Sequence, residues 1–398
     1  MGTAAGTGAT GSTALLLSGA RLADGRSVDV RISGERIEAV GTVGSLSAPE
    51  RLDLSGYLLL PAPAEPHTHL DEAFTAELGT GPAAPAAAAG PEEVRRRVTE
   101  AALTCLGYGA TAIRSQILVD THAGLGRLEG ALQAARDLRG LVDLQIAVMP
   151  GRLTGNGGHE GRELLREALR SGAHALGGRP AQDPDPTGHL DALRALAREF
   201  DRALDLHADA KSAAALTEKD RSAVLCLEGG ADRRLPDALL RAGVGVVVLP
   251  QSGRCAGGAA GPTGGYEPTT VRALVEAGVP LAAGSGALRD ARCPVGRADP
   301  LEAAFLLAAT AGLTAGAAYD AVSATARALL GLPQVRVEAG YPAELLAVRG
   351  DSLAAALAGG HSRVVVHGGR VVSRTSAVRE YAETTAAAVP RQVRPGPA

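Results

Sequence analysis

Two histidines one residue apart, His67 and His69, occur in the segment PAPAEPHTHLDEAFT, and a third, His207, stands in the run ALDLHAD. In an extended segment alternate side chains project to the same side, so the first two rings can aim at one point. Two imidazoles aimed together make half of a zinc site. A third would complete a tri-histidine set whose open fourth position can take a water or substrate. The blander reading is a pair of loop histidines and one core or rim histidine satisfied by a single hydrogen bond; ligation is favoured because all three stand where strands end. Glu65 and Asp71 beside them read either as acceptors that orient an imidazole or as turn caps. Arg114 and Gln145 alternate with apolar neighbours. They either line a lumen and hydrogen-bond a ligand, or are buried polar groups satisfied by nearby chain.

Such histidines converge only if the strands that carry them end at one place. Eight short apolar runs, GYLLLP, TAIRSQIL, DLQIAVM, AHALGG, ALDLHA, AVLCL, GVGVVVLP and VPLAAG, alternate with segments of helical spacing. In PEEVRRRVTEAALTCLG, Pro91 can start a helix, Glu92 and Glu93 suit its positive end, and Gly107 can stop it. Eight alternations predict an α/β chain folded as a parallel (β/α)8 barrel with helices outside, and chemistry at the ends of its strands. No GxGxxG opens the first helix, which disfavours a doubly wound open sheet.

Outside the alternation the texture changes. LLLSGARL, SVDVRIS and RIEAVGTV, within residues 14–60, read as antiparallel strands, and ELLAVRG and SRVVVHGGRVV repeat that texture near the other end. The two terminal pieces are expected to complete one sheet. Residues 1–13 read as a disordered leader, 376–398 as a loose tail, and GTGPAAPAAAAGPEE as a bland or mobile loop.

With 40 basic and 43 acidic residues spread along 398 positions, the chain has no electrostatic footprint for nucleic acid or an anionic membrane. A small-molecule substrate or ligand is the expected partner. Aromatic residues make up 2%, so the core must be close-packed small aliphatics. Four cysteines without a CxxC pair argue against a zinc ribbon or a secreted disulfide framework, and the start of the chain lacks the basic region of a signal peptide. The expected location is the cytoplasm.

PAPAEPHTHLDEAFTAE resembles the first-strand signature of cytosine deaminase and its near relatives in the amidohydrolase superfamily. Arg114, VDLQIAVMP around Gln145, FDRALDLHAD around His207, SATARALLGL and AGYPAELLAV with HGGRVV follow in the same order, so the likeness runs from about residue 14 to 375. The resemblance implies a barrel over 61–332 and a small β-sandwich built from 14–60 and 333–375. It also implies one divalent metal, zinc or iron, on His67, His69 and His207, and a substrate contact at Gln145, with Arg114 as a second candidate.

The departures matter as much. Where the family places a proton-shuttling glutamate, this chain has Ala210; where it ends the sixth strand in histidine, Leu227; where it ends the eighth in a metal-binding aspartate, the stretch Ser285, Gly286, Ala287. No histidine occurs between His207 and His361. Glu228 and Asp290 are the nearest carboxylates, and both are expected to face solvent. A positioned acid or base contributes roughly 10² to 10⁴ in rate, so hydrolysis of a carbon–nitrogen bond other than a peptide bond is expected to be impaired or altered. The alternative is a catalytically inactive pseudoenzyme that binds a small ligand or an intact paralogous subunit. The expected assembly is a homo-oligomer or a hetero-oligomer with that paralogue.

Overall fold

The structure is a computed structural model that describes residues 14–78, 89–122, 124–221, 223–228, 233–252 and 266–378. The expected leader, most of the tail and most of the loop after the first barrel strand lie outside these residues.

Five strands open the chain: Leu15–Arg21 (β1), Ser27–Ser33 (β2), Arg36–Thr42 (β3), Glu50–Asp53 (β4) and Tyr57–Pro61 (β5). Eight more follow: Ala64–Thr68 (β6), Ala112–Val119 (β7), Asp143–Pro150 (β8), Ala175–Gly178 (β9), Ala203–Ala208 (β10), Val224–Leu227 (β11), Gly245–Val248 (β12) and Leu281–Ala283 (β13). Leu345–Arg349 (β14), Arg363–His367 (β15) and Arg370–Thr375 (β16) close the described chain.

The first five and last three strands form one eight-stranded sheet in the order β16-β15-β14-β5-β1-β2-β3, with β4 on β1. The two ends of the chain meet where β5 runs antiparallel to β14, Leu60 opposite Leu346 and Leu59 opposite Ala347. Side chains alternate across this junction. Leu58, Leu60, Leu346 and Val348 face the barrel's helices and share its core, whereas Leu59, Leu345 and Ala347 pack in a separate core with Val30 and Ile32.

This placement corrects one expectation. GYLLLP is not the first barrel strand; it is β5 of the terminal sheet, and the barrel begins at β6 with the histidine pair itself. Pro61 and Pro63 bracket the break between them. The other seven runs named from the sequence are β7 to β13.

The eight strands β6 to β13 pair in parallel, each with its neighbour in sequence order, and form a nearly closed barrel. Across the remaining seam the Gly286 N–H donates to the His67 carbonyl at 3.1 Å. Ala64, Ala112, Val224, Val247 and Ala282, from five of the strands, form an apolar floor sealed by Ala326 and Leu330. Outer helices follow the strands. That over Pro91–Gly107 carries Pro at its start and Glu92 and Glu93 in its first turn, and it buries Val94, Val98, Ala101, Ala102 and Cys105, the spacing of one helical face. Gly109 just beyond it adopts φ +109°, a conformation that favours glycine.

Candidate metal and substrate site

β6 delivers His67 and the turn after it His69, while β10 delivers His207. All three are buried, and one ring nitrogen or other ligand atom of each lies within 4.8 Å of the other two. The His67 and His207 ring centres are 4.5 Å apart and nearly perpendicular, as two ligands approaching one point would be. The Nε2 atoms of His67 and His207 have no hydrogen-bond partner among the described residues. Burial pushes the His69 and His207 imidazoles well below their usual range, with Arg292 adding to it for His69 and the neighbouring His67 for His207. They are held as neutral rings with lone pairs to offer.

Carboxylates stand behind two of the rings, one of them within hydrogen-bond distance. Glu228 Oε1 lies 2.8 Å from His207 Nδ1, and Arg179 NH2 lies 3.6 Å from the same oxygen. A neutral His207 that donates from Nδ1 leaves its Nε2 lone pair free. On the other ring, Asp205 Oδ1 faces His67 Nδ1 at 3.6 Å. Asp205 is fully buried; burial raises its pKa, but His67 and Arg114 opposite it more than reverse that and hold it below its ordinary value. Asp205 precedes His207 by two positions on the strand, so the period-two rule already put it on the same face.

Glu228 was expected in solvent; its side chain stays 29% exposed, yet it is turned onto His207. The Glu228 N–H donates to the Ala208 carbonyl, which extends the β10–β11 pairing by one residue and carries the side chain onto His207. The same expectation for Asp290 is corrected. It is 1% exposed, its Oδ1 accepts from the Arg292 and Cys293 N–H groups, and burial pushes its pKa up to about 6. Neither carboxylate joins the three histidines in the cluster whose atoms all lie within 4.8 Å.

Glu65 and Asp71 take roles other than turn capping. Glu65 spans the barrel seam: both its oxygens accept from the Ser285 N–H at 3.0 Å, and Oε1 accepts from the His67 N–H at 3.3 Å. Burial lifts its pKa to about 7. Asp71 pairs with Arg127 and hydrogen-bonds to no imidazole among the described residues, and burial raises it to about 6 against the pull of that guanidinium.

The two substrate contacts expected from sequence lie elsewhere. Arg114 and Gln145 are register partners near the starts of β7 and β8, towards the floor and away from the strand ends. Arg114 donates to Gln145 Oε1 at 2.7 and 3.0 Å and to Asp205 Oδ2 at 3.0 Å. Gln145 Nε2 donates to the Leu330 carbonyl at 3.1 Å, so both ends of its amide are engaged. Arg114 is buried and Gln145 half-buried, and their hydrogen bonds favour the reading of polar groups satisfied by nearby chain. The positions that depart from the family pattern are placed as follows. Ala210 opens the short helix Ala210–Ala213, Leu227 ends β11 buried, and Gly286 sits at the seam with φ +72°.

No family model matches the chain. N-isopropylammelide isopropyl amidohydrolase of Pseudomonas sp. (strain ADP) is 28% identical over 219 residues, which are 48% of this chain and 52% of that protein. The chain thus spans about half the length of the curated relative it matches. Among solved structures, N-isopropylammelide isopropylaminohydrolase from Burkholderia multivorans superposes with TM-score 0.76 at 28% identity, over 91% of this chain and 99% of that one. The 5-methylcytosine deaminase of Klebsiella pneumoniae liganded with 5-fluorocytosine gives TM-score 0.75 at 20% identity, over 92% and 99% of the two chains, a likeness of fold. A triazine hydrolase variant gives 0.72 at 18%, over 91% and 95%.

Proposed function

We propose that this chain, a structural relative of the cytosine deaminase-like amidohydrolases, is a metal-dependent hydrolase of a small heterocycle. It would replace an exocyclic amine by a hydroxyl, or open a cyclic amide. The observation that carries the reading is the convergence of three buried imidazoles, two with unpartnered Nε2 atoms.

The donor set fits a divalent ion of the zinc or iron type: imidazole nitrogens, no thiolate, a carboxylate hydrogen-bonded behind His207 and another facing His67. Held by His67, His69 and His207, the ion would supply Lewis acidity that makes water nucleophilic near neutral pH. The chain's own groups do the rest. Glu228 fixes the orientation of His207, and Asp205 places negative charge behind His67. Arg179 and Arg292 lie within electrostatic range of both His69 and His207 and favour negative charge gathering on a substrate oxygen or nitrogen. Asp290, in the loop after the eighth strand, keeps Oδ2 without a hydrogen-bond partner among the described residues and is the carboxyl there to test as a proton carrier. In the net reaction water adds at the ring carbon, the carbon–nitrogen bond breaks, and the water's proton leaves on the amine.

Support for a second reading, a ligand-binding protein without turnover, comes from Ala210, Leu227 and Gly286 and from the absence of any described carboxylate in the histidine cluster. One experiment separates the two. The full chain is loaded with zinc, iron or manganese, and amine release is followed on cytosine and on N-isopropylammelide, with and without chelator. The hydrolase reading expects release that chelator abolishes. Protein with bound metal that releases no amine across the panel leaves the binding reading.

A further inference from the structure

With Gln145 committed at the floor, the lumen holds a second amide, Gln116, which is 0% exposed. Neither its Oε1 nor its Nε2 has a hydrogen-bond partner among the described residues. Its direction follows from the register. Gln116 is two positions beyond Arg114 on β7, so both point to one face, and Arg114 reaches Asp205 across the lumen. His207 is likewise two positions beyond Asp205 on β10. Gln116 and His207 therefore stand one layer above the Arg114–Asp205 pair and face the same space. Gly177, the register neighbour of Asp205, makes room for the amide: a Cβ at Gly177 would lie 2.8 Å from Gln116 Oε1.

Leaving a buried polar group unpaired costs about 1–3 kcal/mol per group. A position that carries two such atoms, cleared by a glycine and level with the histidines, is suited to a ligand that pairs both. We propose that Gln116 is a specificity-determining residue. Its amide presents one donor and one acceptor side by side, complementary to the adjacent N–H and C=O of a lactam or cyclic ureide. The substrate class is then an oxo-heterocycle with that edge, rather than a fully aromatic amine. The inference deepens the hydrolase reading and rests on it for the identity of the site.

The test uses uracil, which carries the edge and no exocyclic amine, as a probe titrated calorimetrically into the zinc-loaded full chain. Gln116→Met, similar in size and unable to pair, is expected to weaken binding about 10- to 100-fold, with metal content unchanged and thermal midpoint equal to wild type or higher. Gln116→Glu, which keeps acceptors but loses the donor, is expected to weaken it at least several-fold, and decides the matter if the Met variant does not fold. Binding to Gln116→Met within about twofold of wild type, or no uracil binding by metal-loaded wild type, overturns the inference. A lowered midpoint with unchanged affinity also overturns it, because that marks a structural amide. Amine release judges the hydrolase reading separately: turnover untouched by Gln116→Met removes only this inference, and uracil binding without turnover removes only the hydrolase.

Discussion

Glu228 Oε1 stands 2.8 Å from Nδ1 of His207, with Arg179 NH2 3.6 Å from the same oxygen. The carboxylate is thus placed on the outer nitrogen of the ring and not opposite the three imidazoles. It holds His207 in one tautomer and does not stand where the family pattern has aspartate.

If that is its role, Glu228→Gln weakens metal binding about 10- to 100-fold while the fold persists. Competition of the zinc-loaded variant against a chromogenic chelator measures it. An affinity equal to wild type would mean that the carboxylate does not orient the ring.

Gln145 and Gln116 should part company. Gln145→Ala removes the acceptor for Arg114 and the donor to the Leu330 carbonyl. A loss of about 1–3 kcal/mol in unfolding free energy is expected, with uracil affinity unchanged. Urea titration and calorimetry read the two quantities, and an affinity loss without destabilisation would return Gln145 to the substrate contacts.

At the seam, a Cβ on Gly284 would lie 2.6 Å from Glu65 Oε1 and 3.0 Å from the His67 carbonyl oxygen. Gly284→Ala must therefore push the Glu65 carboxylate aside and crowd the backbone of His67, one of the three proposed metal ligands. It is expected to cost about 1–3 kcal/mol and to lower metal content with it. Elemental analysis of the folded variant checks the second effect, and full metal content with unchanged stability would contradict a closed seam.

In the terminal sheet, His367 Nδ1 lies 2.8 Å from Glu344 Oε2, and the Gly368 N–H donates to Glu344 Oε1 at 2.8 Å. Burial lowers the His367 pKa, but Glu344, with Asp143 nearby and against Arg327, raises it to a net value above 6.5; Glu344 is held below 4.5 by the reverse balance. The histidine's contribution to stability is fully present below its unfolded pKa and fades as pH rises through the raised folded value. That of Glu344 is present above its unfolded pKa and fades as pH falls through the lowered one. Urea unfolding should show wild type losing stability as pH rises from the ordinary histidine value of 6.5 through the raised folded one, and His367→Gln should flatten that slope. An identical slope in the variant would remove the pair as its cause.

Alternating short strands and helices, the β texture at both ends and the HxH spacing were legible in the sequence because they are local periodicities: period two, period 3.6 and a two-residue offset. Pro91 and Gly107 bound their helix for equally local reasons of backbone geometry. GYLLLP was not separable from a barrel strand, since a buried run of leucines reads the same in either sheet. What assigned it was its antiparallel partner β14, almost three hundred residues away.

The sequence by itself determined that His67, His69 and His207 stand at strand ends and which acids are missing from the family's positions. Height along the barrel axis was decided only in three dimensions. Gln145 and Gln116 alternate alike in their strands, yet the pairing of Gln145 with Arg114 sets it at the floor and leaves Gln116, two positions beyond Arg114, a layer higher. The same holds for Glu228 and Asp290, which look like loop carboxylates until one added β10–β11 bond and two backbone N–H groups draw them in. Burial and partner choice are sums over chain segments distant in sequence, so no local pattern carries them.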